Sequence, residues 1–259
     1  MPALSPDALG AYLSLAVQAA REAGQFLLAT GAGSVVADLP HDVKLAADRN
    51  TEEIIVRLLR QHSDFPLLAE EQGRLAASGE STGLRWIIDP LDGSLNFLQG
   101  IPFCCVSIAL WRKQEPLLGV VYDFCREELF TGLVGAGARL DGKPIETSGT
   151  REIGQAILCT GFPASTDYAP EVLLELVEQL RCYKKVRLLG SAALSLAYVA
   201  AGRADAYFEK DIKIWDVAAG LALVKAAGGM TAVTDSPVAD ALTVYAGKHF
   251  LETTLKGWG

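Results

Sequence analysis

Apolar and polar positions along the chain follow two rhythms. Over residues 8–28 apolar side chains recur every three to four positions, which predicts a long amphipathic helix. The same spacing returns over 51–60, where Thr51, Glu52 and Glu53 sit at the end that favours acids, so a second helix is predicted. The rhythm then shortens. Runs at 66–69, 85–88, 103–111, 117–123 and 128–133 predict strands, and "LDGKP" at 140–144 predicts a turn. After about Gly149 strands at 155–159, 184–188 and 204–208 alternate with helices at 170–182, 191–201 and 216–227, and two strands follow around 231 and 244. The expected fold is therefore α/β and layered, with an N-terminal α+β half over 1–149 and a C-terminal α/β half over 150–259.

Two uncharged stretches change nothing in this scheme. The first, at 8–20, is preceded by Asp7 and by no basic segment, so it is not read as a signal peptide. The second, at 93–111, approaches the length of a membrane span, but Gly93, Asn96, Gln99, Gly100 and Pro102 interrupt it. A short helix, a turn and a buried strand are predicted there, and no membrane partner. Among 259 residues, 31 acidic against 23 basic side chains give a net charge of −8, and no Lys/Arg block offers a track for nucleic acid. Cys104, Cys105, Cys125, Cys159 and Cys182 lack zinc-site spacing and read as reduced thiols of a cytoplasmic protein. "VGAGA" at 134–138 is followed by "RLDGKP" and not by a helix, so it is no dinucleotide loop. His41, His62 and His249 are dispersed and read as surface or capping residues.

The acids carry the candidate chemistry. "LLAEEQG" ends an apolar run in Glu70 and Glu71, "WIIDPLDG" ends another in Asp89 and Asp92, and "IKIWDVAAG" places Asp216 at a helix start. Hard divalent cations take oxygen ligands, and Mg²⁺ is commonly held by a few carboxylates together with water and substrate phosphate. Taken singly, the same pieces read more plainly: "DPLDG" as a double turn of solvated acids, Glu70-Glu71 as a solvated loop, Trp215 as a core anchor. Pro90 keeps Asp89 extended, and Gly93 lets the chain turn into a helix near Ser94, aiming backbone N–H groups at an anion. "GSAA" at 190–193 and "WDVAAG" at 215–220 look like two more helix starts of that kind. Metals with helix starts point to phosphate.

"LLAEEQG", "WIIDPLDGSLNFLQGIPFCCVSIAL", "GSAALSLAYVAAGRADAYFE" and "IWDVAAGLALVKAAGG" resemble, in order and spacing, the motifs of the inositol monophosphatase family, over about residues 10–250. The resemblance implies an αβαβα sandwich of the inositol monophosphatase and fructose-1,6-bisphosphatase type, a Mg²⁺-dependent, lithium-sensitive phosphomonoesterase, and usually a homodimer. It implies Glu70, Asp89, the Leu91 carbonyl, Asp92 and Asp216 as ligands for two or three Mg²⁺ ions. Gly93 and Ser94 would give amides to phosphate. Glu70 would help hold the attacking water, with the Ser94 hydroxyl, oriented by Asp48, assisting its activation. Asp216 would face the leaving group, Glu209 would accept substrate hydroxyls, and Gly190, Ser191 and Ala192 would line the ring. The family often has glycine at Ala69, threonine at Ser94, valine-threonine at Lys44-Leu45 and glycine at Asp211; the last places Lys210, Asp211 and Lys213 near the expected pocket rim. A small phosphorylated substrate is implied: inositol phosphate, or in relatives fructose 1,6-bisphosphate, histidinol phosphate or 3′-phosphoadenosine nucleotides. A role as a regulatory or binding protein in transcription complexes is the alternative from another class.

Overall fold

The computed structural model describes residues 4–39, 42–75, 83–163, 166 and 168–249. Six helices are seen among them: α1 (Pro6–Thr30), α2 (Ala46–His62), α3 (Ser94–Leu98), α4 (Pro170–Leu180), α5 (Ala192–Ala200) and α6 (Ile214–Ala226). An eight-stranded sheet is built around the strands Leu84–Asp92, Cys105–Arg112, Glu115–Asp123 and Glu128–Leu133, which pair antiparallel, while Leu67–Ala69 joins Leu84–Asp92 in parallel. A five-stranded sheet places Ala206–Lys213 between Ile157–Thr160 and Ala241–Gly247.

Alternation along the strands explains the layering. Trp86 and Ile88 face α1 and α2, whereas Ile87, one position apart, faces α5 and α6. Both faces of the large sheet are covered, so "WII" reads as continuous apolar sequence. Helices α5 and α6 pack on that sheet and also on the small one. The small sheet buries its other face with Ala156, Leu158, Tyr183 and Phe208, against which Leu180 at the end of α4 packs. The order is αβαβα. Helix α6 is apolar nearly all round because it is buried nearly all round. Close approach is obligatory there: a Cβ on Gly119 would lie 2.3 Å from the Ala219 carbonyl oxygen, and one on Gly220 would lie 2.3 Å from the Leu196 Cβ.

Several boundaries move from their predicted places. Helix α2 starts at Ala46 because the Asp48 carboxylate accepts the Leu45 N–H at 2.7 Å, which satisfies an amide that the helix leaves open. The strand predicted at 85–88 continues through Asp92. Hairpin strands Gly137–Leu140 and Lys143–Ile145 flank the predicted turn, with Asp141 and Gly142 at positive φ as a two-residue hairpin loop requires. The strand predicted at 204–208 runs on to Lys213 through a register break between Glu209 and Ile212. Asp211 sits at φ 58° in that break, a conformation glycine adopts freely and aspartate tolerates.

Candidate active site

Every layer but the outermost helix sends a side chain to one place. Parallel pairing of Ala69 with Ile88 brings the next residue, Glu70, alongside Asp89. Asp92 ends the same strand, Asp216 stands in the first turn of α6, and Glu209 comes from the small sheet. Asp89, Asp92 and Glu209 are buried. Burial pushes the Asp89 carboxyl well above its ordinary pKa, and the neighbouring Glu70, Asp92 and Asp216 push it further. Asp216 is raised in the same way by burial, Asp92, Glu70 and Glu209. Asp92 rises to about 6 through burial, held there by hydrogen bonds that favour its charge. Glu209 rises to about 7, again by burial, with the Tyr207 hydroxyl donating to it at 2.7 Å.

Gly93 turns the chain out of the strand at φ 91°, and a Cβ there would lie 2.9 Å from the Phe103 carbonyl oxygen. Helix α3 then begins at Ser94, as predicted. The Ser94 hydroxyl lies 2.9 Å from the Leu91 carbonyl and 3.3 Å from Asp48, whose own carboxyl burial raises to about 6. Structure and expectation part at the other two helix starts. Asp92 Oδ2 accepts from the Ser191 hydroxyl at 2.6 Å and from the Ala193 N–H at 2.7 Å, so the start of α5 is capped by a protein carboxylate. Asp216 accepts the Lys213 N–H and so caps α6. Neither helix start offers these amides to an external anion.

Lys210 and Asp211 border a cavity of about 140 Å³ that Glu209 also lines. Lys213 does not join them: it donates to the Ala239 carbonyl at 2.7 Å and lies over the Trp215 ring. Trp215 packs against the core, as the plainer reading had it. His62 closes α2 and His249 is exposed, while His41 lies outside the described residues.

Sequence reasoning missed four residues. Glu52, fully buried, accepts the Glu71 and Gln72 N–H groups at 2.8 and 3.0 Å and thereby holds the loop that carries Glu70. Its signal was an acid four positions after Asp48, on the face that carries Ile55 and Leu59. Asn96 donates to the Phe103 and Leu189 carbonyls at 2.9 and 2.8 Å, tying α3 to the Gly190 turn. Lys44 pairs with Glu71 and stands 3.9 Å from Glu70. Gly161 leaves room for the Glu209 carboxylate, which a Cβ would meet at 2.8 Å. The last three contacts join distant segments, and no local pattern announces them.

The oxygen-only donor set suits a hard cation. Among the described residues, no three His, Cys, Asp or Glu side chains stand close enough to hold a metal ion as they are placed. What the cluster has is a surplus of buried negative charge with Lys44 at its edge.

The model of the inositol monophosphatase family matches residues 9–253. A Xylella fastidiosa protein named Nus factor SuhB is 41% identical over 235 residues, covering 88% of this chain and 83% of its own. An inositol-1-monophosphatase from Mesorhizobium japonicum is 38% identical over 256 residues, 96% of each chain. The crystal structure of extragenic suppressor protein suhB from Bartonella henselae superposes with a TM-score of 0.85 at 34% identity, covering 95% of this chain and 98% of that one.

Proposed function

This chain belongs to the inositol monophosphatase family, and from that premise we propose that it is a Mg²⁺-dependent phosphomonoesterase acting on inositol monophosphate or a related small polyol phosphate. The observation that supports this most is the cluster of Glu70, Asp89, Asp92 and Asp216, in which the neighbouring acids raise the pKa values of Asp89 and Asp216. Glu70, Asp89, Asp92, Asp216 and the Leu91 carbonyl would hold two or three Mg²⁺ ions. When bound, the metal supplies positive charge against phosphate oxygens and activates water.

The chain's own groups do the rest. Gly93 and Ser94 lie where a helix has N–H groups without intrahelical partners, and these bind phosphate oxygens. The Ser94 hydroxyl, between Leu91 and Asp48, orients the attacking water with Glu70. Asp216 faces the leaving alcohol. Glu209 accepts a hydroxyl of the polyol, beside the Gly190–Ala192 turn that Asn96 fixes in place. No helix of the described residues is long and apolar enough to cross a membrane; the cytoplasm is the proposed compartment. A homodimer is also proposed, and the exposed apolar side chains of Leu174, Val177 and Leu188 support it.

A phosphate-release screen with Mg²⁺ tests the reading across inositol phosphate, fructose 1,6-bisphosphate, histidinol phosphate and a 3′-phosphoadenosine nucleotide. Inositol phosphate is expected to turn over fastest and Li⁺ to inhibit. Release from none of them by folded, Mg²⁺-loaded protein would leave the binding role that the name of the Xylella relative suggests. Glu209→Gln should cut kcat/KM for inositol phosphate by roughly ten- to a hundredfold, the worth of a charge-assisted hydrogen bond, and spare a simple aryl phosphate. Equal loss on both would make Glu209 a support of the site or the fold.

A further inference from the structure

A second cavity, of about 800 Å³, opens between the two sheets beside α6. None of the active-site acids lines it. Its floor is Leu68, Trp111, Ile214, Leu221 and Leu242, all members of the core between the sheets. Its wall is mixed, with Gln114, Thr231, Thr234 and Ser236 among apolar residues such as Val233 and Val238. That size and that mix of an apolar floor with a few polar groups are those of small-molecule sites, typically about 300–1,000 Å³.

The charges around it are accounted for except one. Lys225 is paired with Glu115 at 2.9 Å, and Asp240 with Arg74 at 2.7 Å, while Asp235 is exposed to solvent. Arg85 also lines the cavity and is half-buried, and its side chain has no hydrogen bond or ion pair among the described residues; its Nε is fully buried and unsatisfied. Burial and the adjacent Arg74 lower its pKa, with Asp240 opposing, yet a guanidinium stays charged in a protein. A guanidinium that the fold leaves without an acceptor is a group that a ligand oxyanion in the cavity can pair.

We propose that this cavity binds one small amphipathic anion, with a ring-sized apolar body on the Trp111 and Leu221 floor and a single oxyanion, carboxylate or phosphonate-like, on the Arg85 guanidinium. The fork of guanidinium donors matches either head group. The site stands independently of the phosphatase reading, since it shares no lining residue with the acids.

Calorimetric titration in chelator with 2-naphthoate, 2-naphthylphosphonate and neutral 2-naphthamide tests it. One equivalent of each anion binds the wild type, and the preferred anion identifies the head group. Arg85→Met should weaken both anions by roughly ten- to a hundredfold and move the amide by no more than about twofold. Thr234→Trp, a substitution at an exposed wall position, should block all three probes and needs no change in the core. Cooperative melting of each variant verifies folding, and if Arg85→Met fails it, Thr234→Trp carries the test. The proposal is overturned by no binding of any probe to folded wild type, by equal loss of amide and anions in Arg85→Met, or by binding that survives Thr234→Trp but is lost in Asp92→Asn.

Discussion

Two groups of buried and part-buried acids gather at the large sheet, and they are built in opposite ways. At the turn after strand Glu115–Asp123, the fully buried Asp123 is paired with Arg126 at 2.8 Å, and Glu128 takes both arms of the Arg203 guanidinium at 2.6 Å. Each acid there has its cation within the chain. At the end of Leu84–Asp92 the near neighbours of Asp89 are Glu70, Asp92 and Asp216, which all carry the same charge. Burial raises the pKa of Asp123 and Arg126 pulls it back, whereas each charged neighbour of Asp89 adds to the rise. The first arrangement completes the fold. The second leaves a charge to be supplied from outside, which is what a cation-binding catalytic site requires.

The comparison can be broken most forcefully at Asp89. Asp89→Asn should lower Mg²⁺-dependent turnover by about 10²–10⁴-fold, since several kcal/mol of charge stabilisation depend on it. In chelator the same variant should melt a few degrees higher, because a buried like charge is gone. A large loss of turnover with a lower metal-free Tm would instead place Asp89 with the structural acids. Next in size, Asp123→Asn should lose about 1–2 kcal/mol with turnover intact, a figure kept small by the partial exposure of Arg126. Calorimetry and a rate assay on the same sample check both halves.

Acidity offers a finer probe. Asp48 and Asp92 titrate at about 6 and Glu209 at about 7 in the folded chain, all above their unfolded values. The native state therefore holds those protons more tightly, so stability falls as pH rises from the unfolded to the folded pKa values. Metal-free protein should melt at a higher temperature near pH 5 than near pH 7.5, and Mg²⁺ should restore the loss by binding the ionised acids. Glu209→Gln should flatten part of the slope. A Tm that rises across that window in chelator would contradict the charge surplus. The smallest effect is expected from Glu128→Gln, about 0.5–1 kcal/mol, since that pair is partly exposed.

How far the sequence could foretell this divides along the same line. Local rhythm located the helices and most of the strands, because each depends on the spacing of apolar residues within one segment, but it missed the short strands Val35–Leu39, Asp42–Leu45 and Gly73–Leu75. The acids were visible for the same reason: Glu70, Asp89, Asp92 and Asp216 each interrupt or follow an apolar run. What holds them was not visible. Glu52 reaches across to the amides of Glu71 and Gln72, and Asn96 reaches Leu189, 93 positions away. The helix starts predicted at 191 and 216 lie within two residues of those seen at Ala192 and Ile214, but the prediction did not show that Asp92 and Asp216 use them. The family pattern around Asp211 placed Lys213 near the pocket rim, whereas past the register break between Glu209 and Ile212 it donates to the Ala239 carbonyl.

The strand that carries Glu209 lies between Ile157–Thr160 and Ala241–Gly247. During synthesis, the segment bearing Glu70, Asp89 and Asp92 leaves the ribosome long before the strand that closes the small sheet. A nascent chain can thus assemble the large sheet with its paired arginines only in part, since Arg203 follows Glu128 by 75 residues. The unbalanced acids, by contrast, lack Glu209 and Asp216 until the strand Ala206–Lys213 and α6 have been made. In the proposed reading, a chain that stops before them would hold Glu70, Asp89 and Asp92 without the groups that complete the site.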